Sequence, residues 1–368
     1  MSSIWDLANP QLRDLGVYEP GKPIEETARE LGAEPDQIIK LASNENPLGP
    51  SPRALVAMRS TLETAHLYPD GGGYYLRDAL ARSLGVSREH LILGAGSNEI
   101  IEFLGHAFLD RGDDIVTSEH AFVVYRLVAA VFGANTIEVP SRDFGHDLDA
   151  MAAAITPKTR LIFVANPNNP TGTLAKQDEI GRFIEKIPPN IVVVIDEAYY
   201  EYLDNPPDSL RFIRAGRNVV ALRTFSKIQG LASLRIGYGI ARPELIQALH
   251  KVRQPFNVTG IAQAAALASL GDDEHRRETK RVTDEGRAYL QGEFTAMNLP
   301  FVPSAGNFVL VKVGDGAKTF RALLERRIIV RALKGYKLPE WVRVSVGTME
   351  QNRRCIAALK EILASQPD

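Results

Sequence analysis

From about residue 50 to 250, short apolar runs alternate with segments whose apolar residues recur every three or four positions. The runs Leu91–Leu93, Asp114–Thr117, Leu161–Ala165, Ile191–Ile195 and Val219–Leu222 hold too few polar positions for a sheet with one wet face. They read as strands covered on both sides, the condition of a parallel sheet. Between them Leu76, Leu80 and Leu84, then Ile100, Phe103 and Leu104, fall on single helical faces. After about residue 255 the pattern changes. An Ala-rich helical stretch, Ala262 to Leu270, leads into a charged stretch from Asp272 to Arg287, whose densest part, Asp272 to Arg281, reads as a solvated helix face or its lead-in. Short strands follow at Phe308–Val313 and Val342–Val346. Ahead of the first strand lie a polar segment with one helical pattern, Glu26 to Leu31, and a Pro/Asn/Gly-rich loop from Asn44 to Pro52. The expected division is an N-terminal arm (1–40), a large α/β domain (41–250) and a smaller α+β domain (251–368).

Composition changes this picture little. The chain's 368 residues suit two domains, and 43 basic against 45 acidic side chains give no electrostatic reason to expect nucleic acid or an anionic membrane surface. The longest apolar runs, such as Ile191–Ile195, are too short to span a bilayer, and the first thirty residues hold no apolar stretch of signal-peptide length. A soluble, cytoplasmic protein is expected. The single cysteine, Cys355, precludes an internal disulfide and shares a C-terminal helical pattern with Ile356, Leu359 and Ile362, where it reads as a buried bystander. Seven histidines, among them His66, His106, His120 and His146, show no metal-ligand spacing, so no metal is expected.

Four segments carry candidate chemistry. In Leu93-Gly94-Ala95-Gly96-Ser97-Asn98-Glu99-Ile100 a strand passes through a glycine turn into a helix, whose free N–H groups suit a phosphate, though a plain turn reads equally well. In Ala165-Asn166-Pro167-Asn168-Asn169-Pro170-Thr171-Gly172 two prolines fix a loop at a strand's carboxyl end, where open α/β sheets bind ligands. Three asparagines in four positions exceed what a turn requires. In Val192-Val193-Val194-Ile195-Asp196-Glu197-Ala198-Tyr199 a carboxylate closes a buried strand, a costly position without a cationic partner; a pyridinium nitrogen would be one, and a helix N-cap is the alternative. In Arg223-Thr224-Phe225-Ser226-Lys227, followed by Arg235, hydroxyls and an arginine surround an amine placed to attack an aldehyde.

This set, in this order, resembles the class I/II aminotransferases of fold type I, which depend on pyridoxal 5'-phosphate. Val17-Tyr18-Glu19-Pro20-Gly21-Lys22-Pro23, Leu41-Ala42-Ser43-Asn44-Glu45-Asn46-Pro47, Tyr68-Pro69-Asp70 and Val342-Arg343-Val344-Ser345-Val346-Gly347-Thr348 are similar to the histidinol-phosphate aminotransferase subfamily, and the likeness covers nearly the whole chain. The resemblance implies a fold type I architecture, with a mostly parallel sheet between helices in the large domain and a smaller C-terminal α+β domain. It implies Lys227 as the Schiff-base lysine, Asp196 on the pyridine nitrogen, and Asn169 and Tyr199 on the ring hydroxyl. Phe122 would stack on the ring, Ser97, Asn98, Thr224, Ser226 and Arg235 would hold the phosphate, and Glu99 would be a further cofactor-binding residue. Tyr68 would reach the neighbouring subunit's phosphate across a homodimer, and Tyr18, Asn44, Arg331 and Arg343 would line the substrate site. The partners implied are small amino donors and oxo acids, with histidinol phosphate first. An aromatic amino-acid aminotransferase and a phosphothreonine-type decarboxylase are the alternatives within the fold. The chain departs from the family pattern at Phe122, Asn98, Ile228-Gln229 and Ser233, none of which removes a charge the chemistry needs.

Overall fold

The computed structural model describes residues 4–13, 15–17 and 21–365. Its centre is a seven-stranded sheet in the order Leu91–Gly94, Gly237–Ile240, Val219–Thr224, Val192–Asp196, Thr159–Ala165, Asp114–Ser118, Asn135–Val139. Six strands run parallel to one another. Gly237–Ile240 is antiparallel to both its neighbours. The five apolar runs read from the sequence all form strands of this sheet. Asn135–Val139 and Gly237–Ile240 add two that no apolar run announces: the first is a half-buried edge, the second carries two glycines in four residues.

Both faces of the sheet are covered, as the continuous apolar runs require. On one face Val193, Ile195 and Ala221 pack with Leu76 and Leu80 of the helix Tyr74–Leu84 and with Phe183 of Gln177–Lys186. On the other, Val194, Val220 and Leu222 meet Ile100, Phe103 and Leu104 of the helix Ser97–Phe108. The Ala-rich stretch is the helix Gly260–Leu270, and Ala262, Ala265 and Ala266 lie in the first of these two cores. This helix packs along Pro52–Leu62, where small side chains allow close approach. Packing onto the large sheet therefore runs past the division expected at residue 250.

The charged run continues as one 24-residue helix, Asp273–Ala296, whose Leu290 and Phe294 enter a third core. That core is backed by an antiparallel sheet in the order Arg331–Leu333, Leu338–Ser345, Phe308–Lys312, Phe301–Val302. The strand Ile39–Lys40, placed in the arm by sequence, pairs with Ile328–Ile329, and Ile39 and Leu41 belong to the same core. Cys355 is buried in the helix Met349–Ala364, and burial pushes its thiol up to about 12. Among the described residues, no helix is long and apolar enough to cross a membrane.

Candidate active site

Three parallel strands end side by side, and their last residues meet at one cavity. Ala165 is paired with Asp196 and Asp196 with Leu222, so the ends of Thr159–Ala165 and Val192–Asp196 are level and Val219–Thr224 runs two residues further. The cavity beyond them holds about 660 Å³ and is also lined by Arg331, Tyr336 and Arg343 of the small sheet and its loop.

The run Val192–Ile195 carries Asp196 inward until only 7% of it is exposed. Its Oδ2 accepts a hydrogen bond from the Tyr125 hydroxyl at 2.8 Å and its Oδ1 from the Ala198 N–H at 3.2 Å. Both donors are neutral. Burial outweighs them and pushes the carboxyl up to about 6. A cation placed against Asp196 would remove that penalty.

Lys227 follows the next strand, and its Nζ donates to the Ser43 carbonyl at 3.0 Å. Burial, then the positive charges of Arg343 and Arg235, bring its amine down to about 8. A sizeable neutral fraction near that pH makes it a competent nucleophile. Tyr199 lies 3% exposed, its ring 5.7 Å from Lys227 Nζ, and its hydroxyl accepts from Asn44 Nδ2 at 2.9 Å. Burial pushes its phenol up to about 12, so it stays protonated.

The third part is an anion cradle at the start of the helix Ser97–Phe108. Gly96 has φ +80°, and a Cβ there would lie 2.5 Å from Arg235 Nη2; a Cβ on Gly237 would lie 2.4 Å from the Ser97 nitrogen. Glycine at both positions lets a guanidinium and a helix N-terminus converge. Arg235 Nη1 donates to Ser226 Oγ at 3.3 Å, and Thr224 Oγ1 accepts from the Ser226 N–H at 3.1 Å. Ser97, Asn98, Thr224, Ser226 and Arg235 all line the cavity. A phosphate ester at the cradle, a cationic ring nitrogen at Asp196 and an aldehyde at Lys227 satisfy all three groups at once.

Residues 36–359 match the family described as aminotransferase class I and II. The chain belongs to that family. It is 51% identical over 362 residues to the histidinol-phosphate aminotransferase of Akkermansia muciniphila, covering 98% of this chain and 100% of that one. It is 45% identical to the Methylobacillus flagellatus histidinol-phosphate aminotransferase over the full length of both. Among solved structures it superposes with TM-score 0.89 and 29% identity on the histidinol-phosphate aminotransferase from Sinorhizobium meliloti in complex with pyridoxal-5'-phosphate, covering 97% of this chain and 98% of that one.

Other residues expected at the site of an aminotransferase divide by where they lie. Phe122 and Asn169 line the cavity, Phe122 edge-on to Tyr125. Arg343 Nη1 donates to Asn169 Oδ1 and Nη2 to the Ala42 carbonyl, so it is positioned before any substrate arrives. Arg331 and Asn44 also line the cavity. Glu99 does not: its carboxylate accepts from the Ala95 N–H and from Asn257 Nδ2, both at 2.6 Å, which ties it to the glycine turn. Tyr68 is 84% exposed, stacked on Phe256 at 4.8 Å, outside this cavity. Tyr18 lies outside the described residues.

Sequence reading overlooked Tyr125, Tyr336 and Ser345. Tyr125 gives the only side-chain hydrogen bond that Asp196 accepts among the described residues, but 71 positions separate the two. Ser345 sits inside a motif already quoted, next to a more conspicuous arginine.

Proposed function

We propose that the chain is a pyridoxal-phosphate-dependent aminotransferase interconverting histidinol phosphate plus 2-oxoglutarate with imidazole acetol phosphate plus glutamate, a step of histidine biosynthesis. The observation that carries the cofactor is a single cavity holding a buried carboxylate without a charged donor, a lysine of lowered basicity and an arginine-bearing anion cradle. The substrate rests on 45–51% identity, over nearly the whole chain, to proteins named for that activity.

When bound, pyridoxal 5'-phosphate supplies an aldehyde and a protonated ring that withdraws electrons from the carbon bearing the amine. Asp196 keeps the proton on the ring nitrogen through a charge-assisted hydrogen bond. Ser97, Asn98, Thr224, Ser226 and Arg235 hold the phosphate, Phe122 packs on the ring, and Asn169 and Tyr199 hydrogen-bond the ring oxygen. Lys227 would hold the aldehyde carbon, and its amine, when free, would take and return the proton of the substrate's Cα. Arg343 grips the carboxylate or phosphate of each amino donor in turn, Arg331 adds positive charge beside it, and Asn44 completes the substrate wall. The exposure of Tyr68 and its distance from its own subunit's cavity support a homodimer in which Tyr68 reaches the partner's phosphate site. Small water-soluble substrates fit a cytoplasmic enzyme.

Formation of glutamate from 2-oxoglutarate and histidinol phosphate by the purified holoenzyme tests the reading. Arg331→Ala should weaken histidinol phosphate more than phenylalanine, by roughly 10- to 100-fold for a lost charged hydrogen bond. An equal loss for both would move the assignment to an aromatic aminotransferase, and carbon dioxide release in place of glutamate to a decarboxylase.

A further inference from the structure

We infer that Ser345 is a positioning residue: acting through Asn44, it fixes the direction of the Tyr199 hydrogen bond so that the phenol proton is donated into the cavity, toward the ring oxygen of the cofactor. This role rests on the proposed function, in which pyridoxal phosphate occupies that cavity.

The direction follows from which atoms can donate. Asn44, Tyr199 and Ser345 are 1%, 3% and 3% exposed. The backbone N–H of Asn44 donates to Ser345 Oγ at 2.8 Å, and a backbone N–H has no other role. The single proton of Ser345 then goes to Asn44 Oδ1, 2.7 Å away. With its oxygen committed to Ser345, the Asn44 amide faces Tyr199 with its NH2, and Nδ2 donates to the phenol oxygen at 2.9 Å. A turned amide would set an NH2 against the Ser345 proton and leave that proton without an acceptor. The Tyr199 oxygen is thus an acceptor on the Asn44 side. Its own proton points elsewhere, and both Asn44 and Tyr199 line the cavity.

The frame that holds this chain of bonds comes from the small sheet. Asn44 has φ +56°, in the left-handed region, and is kept there by the bond to Ser345 Oγ and by Asn307 Nδ2, which donates to the Asn44 carbonyl at 2.9 Å. The Ser345 N–H donates to the Leu41 carbonyl at 2.9 Å, completing the tie between strand and loop. Three residues of the two domains are therefore ordered in one donor direction, ending at the cofactor.

A phenol that donates to the ring oxygen stabilises its deprotonated form, so a proton held there leaves at lower pH. Ser345→Ala should raise the pH midpoint of the visible cofactor band of the holoenzyme by roughly half a unit, the equivalent of part of one hydrogen bond. Ser345→Thr, which keeps the hydroxyl, should restore the midpoint. In a Tyr199→Phe background Ser345→Ala should add no further shift, because its effect passes through that phenol. A midpoint unmoved by Ser345→Ala, or moved equally with and without Tyr199, would overturn the inference while leaving the cofactor in place. If Ser345→Ala does not fold, Ser345→Cys, a weak donor, carries the same titration with the same two readings. A wild-type protein with no visible band at any pH would instead overturn the cofactor reading and this inference with it.

Discussion

Asp196 and Lys227 place opposite demands on the protein with and without its cofactor. The carboxyl titrates at about 6 in the fold against 3.8 ordinarily, so the folded state binds the extra proton between those values. The stability this lends is complete below about pH 4 and is lost as pH rises through 6. Lys227 is the mirror case. Its amine titrates at about 8 against 10.5, and the stability it lends, complete above that upper value, is lost as pH falls through 8. At neutral pH the cofactor-free protein bears both penalties. Asp196→Asn should therefore melt higher than wild type without cofactor at pH 7, by up to about 3 kcal/mol, with the gap closing as pH falls from about 6 to about 4. The same variant should hold pyridoxal phosphate less tightly and turn over far more slowly. Melting curves from pH 4 to about 8 with and without cofactor check this; a variant less stable than wild type in both states would contradict it. Lys227→Met should likewise gain stability at pH 7 without cofactor, and it should lack the covalently held visible chromophore.

At the scale of elements, the site depends on how closely the glycine turn, the helix Ser97–Phe108 and the strand Gly237–Ile240 approach one another. Gly96→Ala introduces a Cβ where Arg235 lies and strains a backbone at φ +80°. Displacing the guanidinium should weaken cofactor binding by roughly tenfold or more, against a stability loss of only about 1–2 kcal/mol. Fluorescence titration of pyridoxal phosphate checks it, and unchanged affinity would count against the cradle.

The same elements show what the sequence made legible. Buried strands such as Val192–Asp196 announce themselves because both faces are dry, and the chemistry at their ends is local in sequence: Asp196 closes its strand and Lys227 follows the next. Gly237–Ile240 is hidden because its strand character comes from two neighbours rather than from its own side chains. The Ala-rich helix shows a period but not which core will bury it, and Ala262 and Ala266 prove to face the large sheet. Tyr125 and Ser345 were invisible as site residues for a related reason. Their roles are hydrogen bonds to Asp196 and Asn44, 71 and 301 positions away, and no local pattern encodes such a register.

For the whole molecule, the large sheet carries Asp196 and leads to Lys227 and the small sheet carries Arg331, Arg343 and Ser345, so the groups proposed for cofactor and for substrate meet only at the one cavity both sheets reach. Tyr68, outside that cavity, gives a test of assembly. Mixed dimers of Tyr68→Ala and Lys227→Ala subunits should regain up to half of wild-type activity per dimer, because one of the two sites then has both residues. No recovery would contradict a Tyr68 that acts across the interface. The central claim is tested most directly by a half-reaction: histidinol phosphate and phenylalanine are added separately to holoenzyme, without an oxo acid, while the visible cofactor band is followed. The expected result is loss of the band at low histidinol phosphate, with phenylalanine needing far higher concentration. Equal or reversed preference would contradict the substrate, and a band unmoved by either amine would contradict aminotransfer at Lys227.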